Sequence, residues 1–168
     1  MIIKISDEFT EDLLGSFIAK INEANDKGDT KIVIYLNSIG GEYHVMEAML
    51  DIINSTPEKF ELVAYGQISS CAFILFFRSM CVKYYAGGVL GMYHKVSWEI
   101  PQSDKDNLRL KKHINKYLEG YCKDVSNYLC YKLKFTAAET KDFIAGKDVY
   151  FSVERMEEFL TLINNESK

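Results

Sequence analysis

Tyr65-Gly-Gln-Ile-Ser-Ser-Cys-Ala-Phe73 sets a few small residues between two apolar runs, and its reading decides the fold. Upstream, Glu61-Leu-Val-Ala-Tyr65 has the β-branched and aromatic make-up of a strand, and downstream Cys71 to Met80 reads as a helix. Ser70 stands at the corner between them. A helix that begins there presents N–H groups without intrahelical partners and the positive end of its dipole. Such donors suit acyl transfer, where the charge developing on a tetrahedral oxygen needs amides already in place. Serine at a helix start also has a plainer use, since Ser69 or Ser70 can cap it. The local sequence leaves both uses open.

Before this stretch, Lys31-Ile-Val-Ile-Tyr-Leu36 is a nearly continuous apolar run, the pattern of a parallel strand covered on both faces. It leads through Asn37-Ser-Ile-Gly-Gly41 into a helix carrying Val45, Met46, Met49, Leu50, Ile52 and Ile53 on its buried face. Ile2-Ile-Lys-Ile5 predicts a first strand. Phe9, Leu13, Leu14, Phe17, Ile18 and Ile21 have helical spacing over Asp7 to Ala24, and Asn25 to Thr30 is a polar turn. After the central helix come a strand at Val82-Lys-Tyr-Tyr85, a turn at Ala86-Gly-Gly-Val89, and a strand at Leu90-Gly-Met-Tyr-His94. Strand, glycine turn, helix, strand, serine turn, helix is a repeated βαβ theme and predicts an α/β fold with sites at the carboxyl ends of strands. The pair Gly40 and Gly41 serves either tight backbone geometry or an N–H left uncovered for a ligand. His94, at a strand end, is either an ordinary hydrogen-bonded residue or a general base.

One domain accounts for 168 residues. With 48% hydrophobic and 26% charged residues the chain is an ordinary globular one, and a net charge of −4 gives no electrostatic case for nucleic acid. No apolar run approaches the roughly 20 residues that cross a bilayer, and Met1-Ile-Ile-Lys-Ile-Ser6 lacks the features of a signal peptide, so the expectation is a cytoplasmic protein. Cys71, Cys81, Cys122 and Cys130 form no CxxC pair, which favours reduced thiols. No GxGxxG, GK[ST] or HExxH motif is present. His44 and Glu47 make only a weak pair, so neither a metal nor an organic cofactor is expected.

Asn37-Ser-Ile-Gly-Gly41, Gly66-Gln-Ile-Ser-Ser-Cys-Ala-Phe73 and Gly91-Met-Tyr-His94 together resemble the three signature blocks of the Clp protease proteolytic subunit, a self-compartmentalising serine peptidase of the crotonase-like fold. There the blocks read approximately N-S-P-G-G, G-Q-A-A-S-M-G-A-F and M-I-H. Order and spacing match, over roughly residues 30–95. The resemblance implies an α/β fold of repeated ββα (βαβ) units with a protruding long handle helix. It implies Ser70 as nucleophile, His94 as general base, and the N–H groups of Gly41 and Cys71 as the oxyanion hole, with the thiol of Cys71 packed and inert. A peptide or unfolded-protein substrate and a homo-oligomer of rings, or at least dimers, follow from it too. Ile39 replaces the family's proline, Ala72 replaces a glycine, and the segment that lines the family's axial pore has no counterpart. Pairing with an AAA+ unfoldase is therefore doubtful.

The family's acid lies shortly before an aromatic strand, here within Lys141-Asp-Phe-Ile-Ala-Gly-Lys-Asp-Val-Tyr-Phe-Ser152. Gapless alignment puts Ile144 at its place, leaving Asp148 and Asp142 as substitutes. Asp148, after the Gly146 turn, is preferred, its plainer reading being a surface turn residue. Without either, the subunit is a silent scaffold. An acyl-CoA enzyme of the same fold is a third reading. From Ser103 to Leu133, Leu108, Ile114, Leu118, Tyr121, Val125, Tyr128 and Leu129 recur at helical spacing, predicting one helix of about 45 Å. It either lies along its own domain or reaches a partner subunit. The head then comprises residues 1–95 and 146–168, and the handle-like helical region residues 103–145. Thr136-Ala-Ala-Glu139 predicts a capping box and Ser152 a cap on the last helix, through Leu162, after which 164–168 frays.

Overall fold

The computed structural model describes residues 1–94 and 108–166. Along the chain run β1 (Ile2–Ile5), α1 (Glu11–Asp26), β2 (Ile32–Ser38), α2 (Tyr43–Ser55), a 3₁₀ turn (Pro57–Lys59), β3 (Phe60–Ser69), α3 (Cys71–Arg78) and β4 (Val82–Tyr93). Then follow α4 (Leu108–Lys132), α5 (Ala137–Ile144), β5 (Val149–Phe151) and α6 (Val153–Glu166). These elements fall into two compact units, Met1–Tyr93 with Val149–Lys168, and His94–Asp148.

The first unit is built on a mixed sheet in the order β1-β2-β3-β4-β5, with β1 to β4 parallel and β5 antiparallel to β4. A helix connects each parallel strand to the next. The carboxyl ends of β2, β3 and β4 therefore emerge along one edge, where α/β sheets bind ligands. Ile3, Ile5, Ile32, Ile34, Leu36, Leu62 and Ala64 form the buried side of the strands. Phe17 of α1, Val45, Met46, Met49, Leu50 and Ile53 of α2, and every residue from Cys71 to Phe77 of α3 are buried as well. A helix that is apolar all round belongs inside. Its first charge, Arg78, pairs with Glu47 of α2. Its carboxyl end is closed by Lys83, only 4% exposed, which donates to the carbonyls of Ser79 (2.5 Å) and Cys81 (3.1 Å). A cation suits that end of a helix dipole.

Three sequence expectations are corrected. Burial in β2 alternates, and Val33 and Tyr35 are only half-buried, as are Val63 and Tyr65 of β3. The run reads as two-sided because Val, Tyr and Ile suit either surface of a pleat, yet Ile2, Val82 and Tyr84 on neighbouring strands are exposed too. The segment Ala86-Gly-Gly-Val89 is not a turn. It lies within the single long strand β4, where the register against β3 shifts between the Ala64/Tyr85 and Gly66/Val89 pairs, and Gly87 takes φ +91. Finally, α3 ends at Arg78, before Met80, because Ser79 is already extended.

Aromatic packing locks the end of β4 to α3. Phe73 stacks on Tyr93 (5.6 Å between centroids) and on Phe151 of β5 (5.3 Å), and meets Phe77 and Phe159. Gly91 gives Met156 of α6 room beside β4. In the second unit α4 spans 25 residues, about 37 Å, with Val125 and Leu129 buried and Tyr128 42% exposed. Its expected start at Ser103 lies outside the described residues, as do the side chains of Leu108, Ile114, Leu118, Tyr121 and Cys122 and residues 167–168. The Thr136–Glu139 capping box is present. The Arg155 N–H donates to Ser152 Oγ at 3.4 Å, and α6 continues past Leu162 to Glu166.

Candidate active site

Ser70 is where β3 turns into α3, and its backbone is strained: φ is 52° and ψ −122°. A non-glycine residue in such a region costs about 1–3 kcal/mol, and observed strain of this kind motivates a search for function. The Ser70 side chain makes no capping bond to α3, so that plainer use is not realised. Ser69 is fully buried and its Oγ accepts from Gln67 Nε2 (2.7 Å). Ser70 is half-buried, and its N–H donates to Met92 O of β4 (2.9 Å). The strand reaches this corner through an irregularity at Gly66, φ +64, beside Asn37, whose Oδ1 accepts from the Gln67 N–H (3.0 Å). Asn37 thus fastens the end of β2 to β3 just before the serine.

The glycine corner lies directly against the serine corner. A Cβ built on Gly40, φ +99, would fall 2.8 Å from Ser70 Cβ, 2.8 Å from Ser69 O and 2.9 Å from the Cys71 nitrogen. Gly41, φ +142, is as tightly seated, with Phe9 N and O at 2.5 and 2.6 Å from such a Cβ. Phe9 grips this loop by two backbone bonds, donating to Gly40 O (2.8 Å) and accepting from the Glu42 N–H (2.8 Å). Ser38 Oγ accepts from the Gly40 N–H (3.1 Å) and donates to Asp7 O (2.7 Å). Because the Gly40–Gly41 peptide is trans and its carbonyl faces Phe9, the Gly41 N–H is directed away from Phe9. Among the described residues neither that N–H nor the Cys71 N–H, at the first position of α3, donates to a protein group.

Substituting Gly40→Ala is expected to destabilise the fold by about 3–5 kcal/mol, the sum of a left-handed backbone penalty and overpacking against main chain that cannot yield. A urea midpoint within experimental error of the parent would contradict this close approach.

Cys71 is 3% exposed, and its thiol donates to Gly41 O at 3.1 Å. Burial pushes its pKa from the ordinary 9.0 up to about 11, against the opposing pull of a hydrogen bond with Ser70. Since the folded value lies above the unfolded one, the neutral thiol's contribution is complete below pH 9 and is lost as pH rises through about 11. Two units correspond to about 3 kcal/mol. Stability measured by urea unfolding should therefore fall across that window, and the fall should be shallower in Cys71→Ser. Identical slopes would contradict the assignment. Cys81 and Tyr85, also raised by burial, add slope of the same sign in both proteins.

His94 is the first residue of the second unit and Asp148 the last. They adjoin the final pair of the β4–β5 ladder, Tyr93 opposite Val149, where the ladder ends. Asp142 is taken by Lys147 at 2.7 Å, and Asp148 is exposed and unpaired among the described residues. Ile144 is 66% exposed. The structure thus joins Ser70, Cys71 and Gly41 in one unit and leaves His94 and Asp148 in the other. Phe9 and Asn37 were not anticipated as parts of the site. Phe9 fits the apolar spacing of a helix and gives no sign of bonding through its backbone, whereas Asn37 stood within the glycine block.

Among the described residues no group of three or more His, Cys, Asp and Glu is placed to hold a metal ion, and no helix is long and apolar enough to cross a membrane. A recess of about 480 Å³ lined by Ile2, Lys4, Tyr35, Tyr65 and Ala86 includes none of the candidate site residues. No curated protein matches the chain. A family model described as Clp protease matches residues 1–124.

Proposed function

The chain belongs to the Clp protease family, and on that premise we propose that it is a serine endopeptidase hydrolysing peptides or unfolded proteins inside a cytoplasmic homo-oligomer. The observation that carries this reading is Ser70, held at φ 52° against a glycine corner, with two N–H donors beside it that donate to no protein group among the described residues. Ser70 Oγ attacks the scissile carbonyl while His94 removes its proton and later delivers it to the leaving amine. The Gly41 and Cys71 amides receive the charge that develops on the carbonyl oxygen. Asp148 orients the imidazole and stabilises its cationic form. Helix α4 meets a second subunit, in the manner of the family's handle. The reaction so written needs no cofactor, and the net charge of −4 offers nucleic acid nothing. A second reading, a silent scaffold subunit, draws on Ile144 standing where gapless alignment puts the acid.

The test is hydrolysis of an unfolded, alkylated protein by the oligomeric fraction, followed by mass spectrometry of the products. New amino termini within the substrate support the endopeptidase. An intact substrate with a confirmed oligomer supports the scaffold.

A further inference from the structure

The glycine corner is held from two sides. Phe9 binds the carbonyl before Gly41 and the amide after it, both on one side. On the other side the Gly41 carbonyl is engaged by the Cys71 thiol at 3.1 Å. We propose that the side chain of Cys71 is a positioning residue, its S–H tie to Gly41 holding the glycine corner against the first turn of α3 so that two amides face one point.

Cys71 stands immediately after Ser70, so its side chain leaves the same turn that presents the serine. A movement of Gly41 relative to α3 stretches the tie, and a movement that opens the distance between the Gly41 and Cys71 amides does the same. The tie needs a proton on sulfur, and burial keeps it there at neutral pH. A thiolate would bring negative charge against the Gly41 carbonyl and beside the place where the oxyanion forms. The thiol is thus neither a competing nucleophile nor a redox centre but a neutral donor, and the 3% exposure keeps water from replacing it. The catalytic part of this inference rests on the serine peptidase reading.

Two variants and two readouts test it. Cys71→Ala removes the donor, and Cys71→Ser keeps one. Peptide hydrolysis by Cys71→Ala should fall about 10- to 100-fold in kcat with KM nearly unchanged, less than the loss of an oxyanion donor itself, and Cys71→Ser should recover most of it. A loss that appears in KM alone, or a serine variant no better than alanine, overturns the positioning role. Amide hydrogen exchange at Glu42, whose N–H is bonded to Phe9, reads the corner without any activity. It should quicken in Cys71→Ala and return towards the parent rate in Cys71→Ser, and unchanged exchange in Cys71→Ala overturns the tie. If the parent protein hydrolyses nothing, the peptidase reading falls, and the exchange result still decides the tie by itself.

Discussion

Ser70→Ala is expected to abolish peptide hydrolysis, lowering kcat by about 10⁶-fold, as loss of a serine nucleophile does elsewhere. The substitution removes one oxygen and leaves the main chain bond from residue 70 to Met92 O in place, so folding and assembly should persist. A companion variant separates chemistry from stability. Ser70→Gly should be equally inactive and yet more stable than the parent by about 1 kcal/mol, because glycine accepts φ 52° without the steric cost a side chain incurs there. A structural serine would show the opposite pattern, with stability lost and activity kept. Retention of more than a trace of hydrolysis in Ser70→Ala, with the parent's KM, would remove Ser70 from the mechanism.

Asp148→Asn is expected to lower kcat by about 10⁴-fold, the size of effect seen when a triad acid loses its charge and the base is left in the wrong tautomer. The argument is one of register. Gly91, Met92 and Tyr93 pair with Phe151, Tyr150 and Val149, and His94 and Asp148 are the residues that adjoin the last of these pairs in the chain. The proposed mechanism extends that register by one step, which would set the two Cβ atoms about 5 Å apart, within reach of a carboxylate and an imidazole once substrate and a second subunit are in place. Asp142→Asn is the control. Its carboxylate is engaged with Lys147 in an exposed pair worth at most about 1 kcal/mol, so activity should remain within about twofold of the parent. If Asp148→Asn is as active as Asp142→Asn, the acid is neither of them and His94 is oriented by some other group.

Much of the fold was legible because its signals are local. Alternating strand and helix periods from Ile2 to Arg78 marked the parallel sheet, and Thr136 with Glu139 announced the start of α5. Misreadings came where tertiary pairing overrides local chemistry. Ala86-Gly-Gly has the composition of a turn, but pairing with β3 draws it into a strand as an irregularity. The strand expected to end at Tyr65 likewise runs on through the irregularity at Gly66 as far as Ser69, up to the corner expected at Ser70. Within the site, the glycine and serine blocks were readable, since bare backbone and a corner serine leave a compositional mark. Phe9 was not readable, because it acts through its backbone N–H and carbonyl, which every residue type carries. The strain at Ser70 has no sequence signature either, since serine is equally at home as a cap. Asp148 stays a matter of chain length in the loop after α5, which apolar periodicity does not report.

The central claim is that Ser70 is a nucleophile poised by two neighbouring chain corners, and a fluorophosphonate tests it most directly. The assembled protein is treated with the reagent, digested, and the adduct assigned by tandem mass spectrometry. The account predicts one phosphonyl group, on Ser70 and not on the buried Ser69. An adduct on another residue, or none in protein shown to be oligomeric, would contradict it.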